Sequence, residues 1–230
     1  MIVDDTGRFV TQRTEPRLAL VEIARNAEGI VASAPEKPPL TLAFAELSGA
    51  EPQRRVKVWR DEVDAVDCGG AAAAWMSSWL GKAVSVVYMP DPVDRPVSPT
   101  YGRPGDVVSF ADGYPLLLIS SSSLDDLNAR LPSPIGADRF RPNLVVSGAP
   151  PWAEDRWSRV RVGRVVLRIV KPCDRCTVTT IDPLTAERGP EPLRTLSTFR
   201  AKNNDVLFGQ NCIPDSLGTI AIGDSVIVLE

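Results

Sequence analysis

The sequence predicts a mainly β chain with a few helices, an α+β protein built from two β-barrel-like domains. Three observations predict it. Short β-rich runs bounded by Gly, Pro and Asp recur along the chain, few segments carry helical composition, and a Pro/Gly-rich stretch at residues 91–105 divides the 230 residues into domains of 1–94 and 95–230. So many short strands with so few helices argue against a parallel α/β sheet.

Met1-Ile-Val and residues 8–13 flank the turn-forming Asp4-Asp-Thr-Gly7 and predict an opening hairpin. Strands are expected at 18–24, 29–34, 40–43 and 56–59, the last because Val56 and Val58 alternate with polar partners. Residues 71–80 are alanine-rich, and the spacing of Ala72, Trp75, Met76 and Trp79 predicts a helix that buries them, capped by Asp67 and stopped by Gly81. A strand follows at 84–89.

In the second half, Leu116-Leu-Leu-Ile119 predicts a short buried strand. The serines at 120–123 resemble a phosphate cradle but lack the glycines of a P-loop; they are read as the cap of a helix over 124–131. Strands are expected at 143–147, 159–162, 165–170, 177–181 and 218–229, with one short helix within 190–199.

Composition removes whole classes of function. The chain has no histidine, which excludes Ser-His-Asp and Cys-His nucleophile pairs, mixed Cys/His zinc sites and histidine-ligated iron. A net charge of −3 argues against a dedicated nucleic-acid surface, although arginines cluster at 139–141 and 156–168. No apolar run reaches membrane-spanning length, no basic-then-apolar leader opens the chain, and four irregularly spaced cysteines point to free thiols in the cytoplasm. No lysine sits in a pattern that marks a Schiff base.

The richest segment is Lys171-Pro-Cys-Asp-Arg-Cys-Thr-Val-Thr-Thr180, whose C-x-x-C places two thiols among basic residues. Zinc, a redox disulfide or another metal are its possible meanings. A zinc site of four cysteines would require the singletons Cys68 and Cys212, which are better read as small buried residues. A thioredoxin-type site requires a helix after the motif, whereas residues 177–181 read as strand.

Seven segments then carry a resemblance: Arg13-Thr-Glu-Pro-Arg-Leu18, Asp67-Cys-Gly69, Phe140-Arg-Pro-Asn143, Ala153-Glu-Asp-Arg-Trp157, Cys173-Asp-Arg-Cys-Thr-Val-Thr-Thr-Ile-Asp-Pro183, Leu207-Phe-Gly-Gln210 and Gly218-Thr-Ile-Ala-Ile-Gly-Asp224. In order and spacing the chain resembles MOSC-domain proteins with an N-terminal MOSC β-barrel domain, the group that includes the mitochondrial amidoxime-reducing component and bacterial relatives. The resemblance implies a molybdenum cofactor in a cleft between two β-rich domains, with Cys176 as both metal ligand and catalytic residue. Arg141, Asn143, Asp174 and Arg175 would line the cofactor, their guanidinium groups suited to a pterin phosphate, with Asp112 and Tyr114 on a further cofactor-facing loop. Cys173 would pack.

The implied activity is reduction of small N-hydroxylated compounds, with electrons from a separate flavin, iron–sulfur or haem protein. The alternatives are a sulfur carrier using a persulfide on Cys176, and a protein that binds pterin without turnover. Relatives also carry, ahead of the opening hairpin, a basic segment that helps bind the pterin. Met1 aligns inside them, so the barrel is expected to lack its first strand and expose an edge.

Overall fold

The computed structural model describes residues 1–47, 53–91 and 93–230; Pro92, in the expected inter-domain stretch, lies outside them. The chain divides into two compact units, Met1–Arg95 with Ile181–Arg188, and Pro96–Thr180 with Gly189–Glu230. Both are rich in strands, as the sequence predicts.

In the first unit, β1 (Ile2–Val3) leads through a turn to β2 (Glu22–Arg25), β3 (Gly29–Ala34), β4 (Lys37–Ala43) and the short α1 (Phe44–Leu47). β5 (Arg54–Val58), β6 (Asp61–Asp67), α2 (Gly69–Leu80) and β7 (Ser85–Tyr88) follow. The strands form a four-stranded sheet ordered β1-β7-β6-β5 and a three-stranded sheet ordered β2-β3-β4.

The Asp4 carboxylate builds the hairpin by accepting from Thr6 N–H at 3.0 Å, Arg8 N–H at 2.9 Å and the Thr6 hydroxyl at 2.6 Å, while Gly7 takes φ +80°. The returning strand bridges Val3 through Phe9 and Lys57 through Arg8, with Phe9 N–H donating to Lys57 O at 3.0 Å. It thereby joins β1 to β5 and closes the ring. Among the described residues, the β1 edge expected to be exposed is bridged by the hairpin itself.

Residues 18–24 are not one strand: Pro16 starts a 3-10 turn over Pro16–Leu20, and only Glu22–Arg25 is extended. Helix α2 buries Ala72, Trp75, Met76 and Trp79, with the Trp75 indole donating to Pro38 O at 2.7 Å. The tryptophans are core residues, each contributing about 2–3 kcal/mol of apolar burial. Gly81 ends the helix at φ +71°. Asp67 lies in β6 and accepts the Gly69 N–H at 2.9 Å, while Cys68 occupies the N-cap position expected of Asp67.

The second unit contains β8 (Leu116–Ser120), α3 (Ser121–Asn128), β9 (Leu144–Val146), β10 (Arg159–Val162) and β11 (Val165–Asp174). It ends with α4 (Leu193–Ser197), β12 (Ala201–Lys202), β13 (Asp205–Pro214) and β14 (Val226–Val228). The sheet order is β14-β10-β11-β13-β8-β9, with β12 on β13; β8 and β9 are parallel and the other pairs antiparallel.

Both faces of β8 are covered, which explains its unbroken apolar run. Leu117 and Ile119 join Leu127, Phe140 and Phe208 on one side; Leu118 joins Val160, Leu167 and Cys212 on the other. Gly209 is required here: at φ +79°, a Cβ would stand 2.8 Å from Ile119 Cγ2 and 2.9 Å from Leu118 O.

Three further expectations are corrected. Ser121, Ser122 and Ser123 lie inside α3, and no serine side chain caps it: Ser120 Oγ faces Ser122 Oγ, and Ser123 Oγ accepts the Trp152 N–H. Residues 177–180 form a 3-10 turn, because the Thr179 hydroxyl donates to Cys176 O at 2.9 Å and the Thr180 hydroxyl to Thr177 O at 2.8 Å, overriding β propensity. Of residues 218–229, only Val226–Val228 is strand.

Candidate functional site

The C-x-x-C lies where the long strand β11 breaks. Its pairing with β13 shifts register between Ile169 and Lys171 and again between Pro172 and Asp174, so one irregularity precedes the motif and the second falls on Cys173. A 3-10 turn follows Cys176, with Cys176 O accepting the Thr179 N–H at 3.1 Å.

The two thiols are not equivalent. Arg175 Nη1 donates to Cys173 Sγ at 2.9 Å and Nη2 to Phe140 O at 2.8 Å, with the guanidinium 5.4 Å from the Phe140 ring centroid. Burial pushes the Cys173 thiol above its usual pKa, and Arg175 pulls it partly back. Cys173 is thus held by the fold. Cys176 is half-buried, at the base of the turn.

Asp174, between the thiols in sequence, accepts from Lys171 Nζ at 2.7 Å. Burial opposes its ionisation, but the Lys171 hydrogen bond contributes to holding the carboxyl below its usual value. Lys171 also lies 5.8 Å from the Tyr101 ring centroid, and Tyr101 meets Tyr114 edge-on at 6.1 Å. Tyr114 packs against the cluster of Val97, Val108 and Ile213, and burial raises its hydroxyl pKa. Asp112 is exposed on the same loop, and its charge acts on Cys173.

Arg141 is exposed and left-handed at φ +55°, ending the 3-10 helix Ala137–Phe140 one residue after the carbonyl that Arg175 grips. Asn143 serves differently: its Oδ1 accepts the Leu117 N–H at 2.8 Å and its own N–H donates to Leu117 O at 2.9 Å, aligning β9 beside β8. The structure therefore gathers Asp174, Arg175, Asp112 and Tyr114 around Cys173, sets Arg141 on the neighbouring turn, and gives Asn143 to the sheet.

Cys212 is buried, as expected, whereas Cys68 is only half-buried at the start of α2. Burial raises both thiols, Cys212 to about 12. Among the described residues no group of three or more cysteine, aspartate or glutamate side chains is arranged to hold a metal ion.

The segment Ala153-Glu-Asp-Arg-Trp157 carries part of the resemblance, but the sequence assigns no role to Glu154 or Asp155. Asp155 accepts both Arg200 terminal nitrogens, at 2.6 and 2.9 Å, and Gln210 Nε2 at 2.8 Å. Glu154 is 1% exposed, and burial raises its pKa. A recess of about 290 Å³ adjoins Asp155, Arg200, Lys202 and Pro172. The sequence signal for it is the Ala153-Glu-Asp-Arg-Trp157 segment itself.

Comparison with known proteins gives this architecture its class. Residues 105–227 match the MOSC domain, and residues 1–83 match the MOSC N-terminal beta barrel domain. The chain belongs to the MOSC-domain family, in its form with the N-terminal β barrel, as the seven segments indicate. Within that family it is 34% identical over 242 residues to mitochondrial amidoxime-reducing component 1 of Homo sapiens, covering 100% of this chain and 72% of that one. It is 35% identical to the Mus musculus counterpart, covering 100% and 71%, and 32% identical to mitochondrial amidoxime reducing component 2 of Rattus norvegicus, covering 98% and 71%. A solution structure from Bordetella bronchiseptica, 26% identical over 40% of this chain and 72% of that one, has a TM-score of 0.36, too low to bear on the fold.

Proposed function

We propose that this protein is a molybdenum-cofactor-dependent oxidoreductase that reduces N-hydroxylated compounds, drawing electrons from a separate partner protein. The observation that carries the reading is the inequality of the two thiols in a chain whose relatives are named for amidoxime reduction. One cysteine is committed to the fold through Arg175, and the other stands at a turn as the candidate ligand.

The residues present suit such a group. A thiolate is a fitting ligand for a soft, redox-active metal, and Cys176 would supply it. Arg175 Nε is buried with no hydrogen-bond partner among the described residues, a donor left over beside the motif after both terminal nitrogens are used. Arg141, exposed on the adjacent turn, would meet the pterin phosphate, and Asp174, Asp112 and Tyr114 would frame the same pocket. Asn143 would act by fixing the strands that carry them. When bound, the cofactor supplies the two-electron step in which N–OH plus two protons becomes N–H plus water. All four cysteines are free thiols, which suits a reducing cytoplasm.

The reading is tested by production in a molybdenum-sufficient host, with metal analysis and reduction of benzamidoxime by a reduced viologen. Molybdenum in the folded protein and formation of benzamidine are expected. Folded protein with neither would overturn the reading.

A further inference from the structure

We propose that Tyr101 and Tyr114, with Lys171 fixed between Tyr101 and Asp174, form an aromatic wall that selects N-hydroxylated substrates carrying a flat aryl group. The inference deepens the proposed function and rests on it for the identity of the reacting group.

Tyr101 is 42% exposed, an unusual place for a large ring beside a candidate site. It is not on a loose loop. Tyr101 N–H and Gly102 N–H both donate to Ser98 O, at 3.0 and 2.8 Å, and a Cβ on Gly102 would stand 3.0 Å from Val97 Cβ. Asp106 then fastens the loop, accepting from Arg103 N–H at 2.6 Å and from Arg168 Nη2 at 2.7 and 2.8 Å. An exposed ring held this firmly presents a face at little ordering cost.

The second ring fixes the edge of that face. Tyr114 is anchored by Val97, Val108 and Ile213 and meets Tyr101 edge-on at 6.1 Å. Lys171 supplies the connection to the thiols: its ammonium is 5.8 Å from the Tyr101 centroid and 2.7 Å from Asp174 Oδ1. The aromatic pair is thus joined through one side chain to the residue between the two cysteines. A planar aryl group entering here gains stacking area that a methyl group does not.

The experiment is calorimetric binding of benzamidoxime and acetamidoxime to the purified protein without reductant, so that no turnover occurs, followed by KM and kcat with a reduced viologen. The wild type should prefer the aryl compound. That preference should fall about five- to tenfold in Tyr101→Ala and return in Tyr101→Phe, which keeps the ring. The change should appear in KM and leave kcat within about twofold. Equal affinity of the wild type for both compounds, or an unchanged preference in Tyr101→Ala, would overturn the wall. Discrimination lost in Tyr101→Ala and restored in Tyr101→Phe, in a protein that fails to reduce either compound, would support the wall and overturn the reductase reading instead.

Discussion

Arg175 ties Cys173 to Phe140: one terminal nitrogen reaches the thiol at 2.9 Å and the other the Phe140 carbonyl at 2.8 Å. The residue between the cysteines best suited by charge to a cofactor phosphate has two of its nitrogens engaged inside the fold. Phe140 is itself stacked on Phe208 at 4.0 Å, so this contact joins the C-x-x-C to the core. Arg175→Ala should therefore lower stability by about 2–3 kcal/mol, since a carbonyl and a thiol lose a charged donor. Arg175→Lys, unable to span both acceptors, should recover less than half. Urea unfolding of the three proteins measures it.

Asn143→Ala should act on the fold. It leaves the Leu117 N–H without its 2.8 Å partner, at a cost of about 1–3 kcal/mol. Asn143→Asp keeps the acceptor and should restore most of that loss in thermal melts. A selective loss of molybdenum at unchanged stability would show that Asn143 faces the cofactor directly.

Arg141 gives the opposite pattern. Its side chain is exposed, so Arg141→Ala should shift stability by no more than about 0.5 kcal/mol while molybdenum content falls. Arg141→Gly should be the more stable of the two by up to about 1 kcal/mol, because the position is left-handed at φ +55°. Parallel melting and metal measurements distinguish a binding role from a solvated surface arginine.

Acid should weaken the second unit through Asp106. Burial opposes ionisation of this carboxyl, but Arg168 and the Arg103 N–H outweigh it and hold the pKa below its usual value. A depressed folded pKa gives stability that is present above the unfolded pKa of about 4 and is lost as pH falls through the folded one. The melting temperature should drop below about pH 4, and Asp106→Asn should flatten that slope. Arg168, 8% exposed and also bound to Asp215, should cost about 3 kcal/mol when replaced by Ala, since Asp106 loses its paired cation and Asp215 keeps only the longer contacts with Arg103 and Arg159.

Much of the fold is legible where local patterns and tertiary demands agree. Residues 29–34 and 159–162 carry β-rich runs and are strands with those bounds, and the Trp75/Trp79 face packs as its spacing predicts. β6 escapes a sequence reading because its outward positions are acidic and depress strand propensity, although Val63 and Ala65 alternate inward. Thr177–Thr180 reads as strand because β-branched composition carries no sign of hydroxyls bonding back to carbonyls. A strand after the motif therefore does not speak against a thioredoxin-type site; the length of the turn does, since four residues of 3-10 helix are too few for the dipole of an α-helix. At the candidate site, several of the residues that the motifs name lie close to Cys173. The division of labour within the site depends on the contacts of Arg175 with Phe140 and of Asn143 with Leu117, 35 and 26 residues away, which have no local signature.

Under the proposed function one thiol, Cys176, serves the metal while Cys173 serves the fold. Cys176→Ser and Cys173→Ser, with molybdenum content and viologen-driven benzamidoxime reduction measured side by side, test it most directly. Cys176→Ser should abolish reduction, since a hydroxyl is a poor substitute for a thiolate on such a metal, and Cys173→Ser should keep most of the activity at reduced stability. Equal loss in the two variants, the response of a zinc or disulfide pair, would contradict it.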